Sequence, residues 1–228
     1  MGNVRRLAGV SVAVAVPSAP LGGGRAPGVL LGHGAGSDFR EALVSGVADG
    51  LAAQGYLAAT FNFPYREQGR QAPDRAPVLE ACVADVAAAV ASAPDLCPPW
   101  MVLGGKSMGG RIASQAVARG LVVCRGLLLL AYPLHPAGAP DRLRRAHLGA
   151  LRVPMLFVSG TRDPLARLDL LEENVRALGD RATLHLVDGG DHSLHVPRRS
   201  GRTRDEVLSE VVATVIAWLD RLRRAASP

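Results

Sequence analysis

The sequence has a single lysine, Lys106, among 26 basic residues, and arginine supplies the rest. Aromatic residues make up 4% of it, and there are three cysteines. No apolar run reaches the roughly 18 residues that a membrane-spanning helix needs. Each shortage excludes something. Cys82, Cys97 and Cys124 are odd in number and form no C-x-x-C, so neither a disulfide framework nor a zinc cluster is expected. The net charge of +6 and pI near 10.0 suggest nucleic acid as a partner. The arginines argue against it: they are dispersed, cluster only briefly at 142–145, 198–204 and 221–224, and have no interleaved aromatics to stack on bases. No specific nucleic-acid partner, no membrane and no metal or organic cofactor is expected.

What is present is apolar and periodic. Hydrophobic residues reach 48%, ample for a core, and 228 residues suit one domain spanning 1–228. Arg5-Arg6 followed by apolar residues superficially resembles a short secretion signal, but no small-residue cleavage site follows. The alternating Val10, Val12, Val14 and Val16 read instead as an edge strand, and a cytoplasmic location is expected. Beyond a turn at Gly22-Gly23-Gly24, short apolar runs alternate with longer amphipathic ones. Strands are expected at 28–31, 57–62, 101–103, 126–131, 154–159 and 182–187. Helices are expected after Asp38 as cap, then at 78–91, 108–119, 168–178 and 204–222, with a proline-rich loop at 63–77. About seven strands, mostly parallel and flanked by helices, make an α/β fold. Ligands of such sheets bind beyond the carboxyl ends of the strands, so the residues that follow each strand matter most.

Gly105-Lys106-Ser107-Met108-Gly109 follows a strand and opens a helix. A nucleophilic serine on a tight strand–turn–helix elbow needs that context, and its neighbouring glycines avoid clashes. A serine hydroxyl needs a base, and His192 follows the last strand in "VDGGDHSLHV". His195 is its rival deeper in the loop; His33 and His185 read as structural. The base needs a carboxylate, and Asp163 follows a buried strand in "FVSGTRDPLA". Asp188 and Asp191 lie close enough to His192 in sequence to shape its loop instead. Two backbone N–H groups should stabilise an oxyanion: Met108, after the serine, and Ala35 in "GHGAG", with Gly34 as the alternative.

The stretches "LGHGAGSD", "FNFPYREQGRQAPDRAPVLEA", "GGKSMGGRIAS", "YPLHPAGAPDRLRRAHL", "GTRDP" and "DGGDHSL" together resemble the α/β-hydrolase superfamily. Within it they resemble the small, nearly lidless, dienelactone-hydrolase-like branch. More narrowly, they are similar to bacterial hydrolases related to testis-expressed protein 30 and KAT8 regulatory NSL complex subunit 3. The resemblance implies an α/β-hydrolase fold, a Ser107–Asp163–His192 triad, and hydrolysis of an ester or related acyl bond. Dienelactone hydrolases proper use a cysteine where this chain has Ser107, which argues against dienelactone itself as substrate. The group includes relatives resembling complex subunits, so a non-catalytic interaction module is the alternative reading. Peptidase or perhydrolase chemistry on the same residues is another.

Asn62, Tyr65, Tyr132 and His135 follow strand ends and are candidates for the walls of a substrate pocket. Lys106 reads as a contact to the loop of the acid or as solvated, and Arg111 as a surface ion pair or an attractor of acidic substrate. The connection from 131 to 154 holds one small helix at most, so no large lid is expected and a small or soluble acyl substrate fits best. Oligomeric state is not legible.

Overall fold

Alternation is clearest in β2 (Val10–Ala15), where every second residue is buried. In the computed structural model, which describes residues 2–21 and 24–225, β2 is nevertheless not an edge strand. β1 (Asn3–Leu7) pairs outside it, antiparallel, with Asn3 opposite Val14 and Leu7 opposite Val10. The sequence hides β1 because an edge strand faces water and carries charge there. Arg5 pairs with Asp95 at 2.8 Å and Arg6 with Glu67 at 2.6 Å. The sheet therefore has eight strands, one more than expected. Of the expected glycine turn, Gly22 and Gly23 lie outside the described residues.

The other strands are β3 (Gly28–Gly32), β4 (Leu57–Phe61), β5 (Met101–Lys106), β6 (Gly126–Leu130), β7 (Met155–Gly160) and β8 (Ala182–Val187). Their order is β1-β2-β4-β3-β5-β6-β7-β8, antiparallel only at β1–β2 and β2–β4. β6 reads Gly-Leu-Leu-Leu-Leu and is buried on both faces, as a central parallel strand must be. Helices α3 (Ala76–Ser92), α4 (Met108–Ala118) and α5 (Leu168–Leu178) pack with one apolar cluster of the sheet, around Leu103, Leu129 and Phe157. Helices α1 (Ala42–Ala53) and α6 (Arg204–Arg224) cover the other, around Val102, Leu128 and Val158. Neighbouring residues of one strand thus serve opposite layers, which is the two-residue period of the pleat.

Two local expectations change. Asp38 does not cap α1; its carboxylate accepts the Arg40 N–H at 2.8 Å and its carbonyl accepts the Glu41 N–H at 3.0 Å. That turn leaves Glu41 as the cap, accepting from the Val44 N–H at 3.3 Å. The proline-rich stretch holds a single helical turn, α2 (Pro64–Glu67), which Pro64 opens because its missing N–H costs nothing there. Between β6 and β7 there is only one 3₁₀ turn, Leu148–Ala150. α6 begins with a reciprocal cap: Thr203 Oγ1 accepts from the Glu206 N–H, and Glu206 accepts from the Thr203 N–H.

β3 lies between β4 and β5, so the direction of chain progression across the sheet reverses there. The loops after β3 and β5 diverge at this switch point and leave a crevice at the carboxyl edge.

Candidate active site

Ser107 sits where β5 gives way to α4, with φ 50° and ψ −113°. This is strained for a residue with a Cβ, and such strain is held only by surrounding structure. The hold is visible. The Ser107 N–H donates to Leu130 O at 2.8 Å, and glycine permits a very close approach to β3. A Cβ on Gly105 would lie 2.0 Å from Gly32 O, and one on Gly109 would lie 2.1 Å from the same oxygen. The two glycines are therefore a packing requirement of the elbow.

Loops from three strand ends converge on Ser107. Its Oγ is 2.8 Å from His192 Nε2. His192 Nδ1 faces both Asp163 oxygens, at 3.0 Å and 2.8 Å. The Asp163 side chain is fully buried, and its Oδ1 also accepts the Leu165 N–H at 2.8 Å. An aspartate so placed fixes which imidazole nitrogen carries the proton: Nδ1–H donates to the carboxylate, leaving Nε2 to accept from the serine. The loops of the acid and the base are themselves joined, since the Arg162 N–H donates to Gly190 O at 2.8 Å. Asp191 shapes the histidine loop, accepting from the N–H groups of Ser193 and His195.

The Met108 N–H is the first of α4 and has no partner within the helix. Among the described residues, the Ala35 N–H also has no hydrogen-bond partner. Both residues line one cleft with Ser107, of about 270 Å³. The loop bearing Ala35 runs close by: a Cβ on Gly34 would stand 3.9 Å from Ser107 Cβ. His33 braces it, with Nδ1 2.7 Å from Gly34 O and Nε2 3.3 Å from the Phe63 N–H. Burial lowers its pKa, so it is a neutral structural ring, as its loop position suggested.

The four candidate wall residues do not line this cleft, and each frames the site from behind. Asn62 accepts from the Phe39 N–H and donates to Glu67. Tyr65 is buried and its hydroxyl accepts the Gly36 N–H at 3.2 Å. The Tyr132 hydroxyl donates to Arg144 O at 2.7 Å. His135 is buried between Pro136 O and the Arg167 N–H, which its Nε2 accepts at 2.9 Å. These four side chains are anchored in the layer beneath the crevice; most of the wall comes from farther along the loops and from helix faces. Leu79, Arg111, Ile112, Arg144 and Leu165 are among the wall side chains, together with Asp74. The helical periodicity of 78–91 and 108–119 marks Leu79 and Ile112 as inward-facing; nothing local in the sequence marks Arg144.

Two further readings change. Lys106 touches the loop of the base, not of the acid: its Nζ is 3.1 Å from Ser193 Oγ and 2.9 Å from Glu41 Oε1. Arg111 has no ion-pair partner among the described residues. Nor, among those residues, does any group of three or more His, Cys, Asp or Glu side chains gather to hold a metal ion. No described helix is long and apolar enough to cross a membrane, and the cysteines are free thiols.

A family model described as an alpha/beta hydrolase domain matches residues 25–220. The chain belongs to the alpha/beta hydrolase family. Its sequence is 26% identical over 171 residues to a Pongo abelii protein named "Putative protein-lysine deacylase ABHD14B", covering 75% of this chain and 76% of that one. Two solved structures show the same fold. A dienelactone hydrolase from Anabaena variabilis superposes with a TM-score of 0.72 at 18% identity, covering 97% of this chain and 96% of its own. A Xanthomonas campestris serine hydrolase without a lid superposes with a TM-score of 0.68 at 20% identity, covering 99% of this chain and 96% of its own. This alpha/beta hydrolase likewise has only the 3₁₀ turn between β6 and β7, where a lid would be inserted.

Proposed function

We propose that this alpha/beta hydrolase cleaves carboxylic esters or thioesters of small or soluble substrates, through an acyl-enzyme on Ser107. The observation that carries the reading is the unbroken hydrogen-bonded line from Asp163 through His192 to Ser107, ending in an open cleft. Ser107 Oγ attacks the carbonyl carbon while His192 Nε2 takes its proton. Asp163 stabilises the resulting imidazolium and does not itself take the proton. The Met108 and Ala35 N–H groups receive the oxyanion, each worth about 3–4 kcal/mol in the transition state. Collapse expels the alkoxide or thiolate, which receives the proton from His192. Water, deprotonated by the same nitrogen, then releases the carboxylic acid and restores Ser107.

The relative named as a protein-lysine deacylase makes an acyl-lysine amide the natural addition to a substrate panel. The rival reading is an interaction module that kept the fold, which has no use for a base poised on a serine. The test is intact-mass analysis after treatment with an uncharged fluorophosphonate, beside Ser107→Ala. One adduct on the native chain, absent from the variant, is expected. A folded native chain that takes no adduct would move the module reading ahead.

A further inference from the structure

The cleft beside Ser107 carries two positive charges that the protein does not neutralise. Arg111 lies one turn into α4, its N–H donating to Ser107 O at 3.1 Å, so its side chain leaves the same helix end as the serine. Among the described residues, its Nη1 reaches only the neutral Gln115 amide, at 3.3 Å, and its Nε is buried with no hydrogen-bond partner. Arg144 enters from the β6–β7 connection, where its backbone is pinned at both ends. Its N–H donates to Leu134 O at 2.7 Å, and its carbonyl accepts from Tyr132 at 2.7 Å. Among the described residues, its guanidinium has no ion-pair or hydrogen-bond partner.

Some arginines of the chain find an acidic partner. Arg70, Arg119 and Arg202 each meet a carboxylate. Among the described residues, the one carboxylate in the cleft wall is Asp74: Arg70 holds its Oδ1 at 2.6 Å, and its buried Oδ2 meets neither Arg111 nor Arg144. Arg111 and Arg144 also feel one another: burial and then the Arg111 charge hold Arg144 below its ordinary pKa. The same two causes push His147, behind them, down to about 4, so it adds no charge at neutral pH. Two half-buried guanidiniums lining one cleft, neither paired with a carboxylate, are costly, and an arriving anion removes that cost.

We propose that Arg111 and Arg144 form a subsite for an anionic group, a carboxylate or a phosphate, carried by the substrate whose acyl bond Ser107 attacks. The proposal rests on the reading of Ser107 as nucleophile, and it makes the preferred substrate a short ester or thioester bearing a negative charge. The apolar wall of Leu79, Ile112 and Leu165 receives the carbon chain between the two ends. Guanidinium suits this role because its planar fork meets two oxygens at once.

The test pairs 4-nitrophenyl hydrogen glutarate, which has a free carboxylate, with its neutral methyl-capped twin. In the Ser107→Ala protein, calorimetric titration reads binding without turnover. The carboxylate ester should bind at least about tenfold more tightly, and Arg111→Gln or Arg144→Gln added to that background should erase the difference. In the active protein, the ratio of kcat/KM for the charged over the neutral ester should fall roughly 10- to 100-fold in either variant, mostly through KM. Arg111→Lys should recover part of it. Competition by glutarate against inorganic phosphate then names the preferred anion.

Equal affinity for the two esters in the Ser107→Ala protein overturns the subsite, as does a kinetic ratio that neither variant changes. If the native chain takes the fluorophosphonate and the esters are not distinguished, the hydrolase reading stands and the subsite falls. If it takes no fluorophosphonate while the Ser107→Ala protein still prefers the charged ester, the acyl-enzyme falls and the anion site stands.

Discussion

Lys106 Nζ lies 2.9 Å from Glu41 Oε1, and the two side chains are only 12% and 15% exposed. The pair joins the residue before Ser107 to the cap of α1, and the same ammonium reaches Ser193, the neighbour of His192, at 3.1 Å. One lysine thus ties the elbow, the first helix and the loop of the base. Arginine's broad planar fork is a poor substitute for a compact ammonium in such a space.

Lys106→Met keeps most of the stem and removes the charge. It leaves Glu41 with a half-buried carboxylate and Ser193 with no ammonium to meet. A loss of about 1–3 kcal/mol in urea unfolding is expected. If the contact also holds His192 in register, kcat and the rate of fluorophosphonate labelling fall together while KM barely moves. Unaltered labelling in a destabilised variant would limit Lys106 to a role in folding.

Asp163→Asn separates the charge of the acid from its shape. An asparagine oxygen can still accept the Leu165 N–H, so the turn survives. Its amide nitrogen then donates to His192 Nδ1, which pushes the imidazole proton onto Nε2, where Ser107 needs an acceptor. Ester hydrolysis is expected to fall roughly 1,000- to 10,000-fold with the fold retained. Steady-state rates beside a circular dichroism spectrum decide it. A variant with near-native rates would mean that His192 does not depend on Asp163.

Much of this was legible because the informative residues follow strands whose apolar runs are unmistakable. Gly126–Leu130 and Met155–Gly160 read as buried strands, and Ser107, Asp163 and His192 take their places from the strands before them. Two kinds of feature escaped. β1 lacks an apolar signal because it runs along the sheet's edge, where Arg5 and Arg6 pair with Asp95 and Glu67. The cleft walls escaped because they are assembled from six separate segments, at 35, 73–79, 107–112, 133, 144 and 165. Arg144 comes to Ser107 through the hydrogen bond from Tyr132, a relationship that no window of sequence contains.

Gly105→Ala tests the elbow's geometry. At φ 142° and with Gly32 O only 2.0 Å from the added carbon, backbone would have to move on two strands. A loss of more than about 3 kcal/mol, or failure to fold, is expected. Gly138→Ala is the matched control: it also has positive φ, 69°, but nothing lies within 4 Å of its added Cβ, so a loss of about 1 kcal/mol is expected. Comparable urea midpoints for the two variants would mean that close approach to β3 does not constrain the turn.

His147 gives the fold a pH dependence whose sign follows from its surroundings. Its pKa falls from 6.5 to about 4 because burial and then the Arg111 charge disfavour the imidazolium. Between those two values the unfolded chain binds more protons than the folded one, so stability rises with pH across the window. The contribution is complete above about 6.5, is lost as pH falls through the window, and declines no further below about 4. Because the ring is partly exposed, solvent screening reduces the effect to about 1–2 kcal/mol, a few degrees in melting temperature for a chain of this length. His147→Gln keeps an amide beside Ser114 Oγ, which the imidazole now meets at 2.8 Å, and has nothing to titrate. Thermal unfolding of both proteins from pH 7 to pH 4 should therefore show the native chain losing more. His33 shifts in the same direction in both and cancels from the difference. Parallel curves would mean that His147 carries a proton in the folded protein at moderate acidity, and with it a third positive charge behind the cleft.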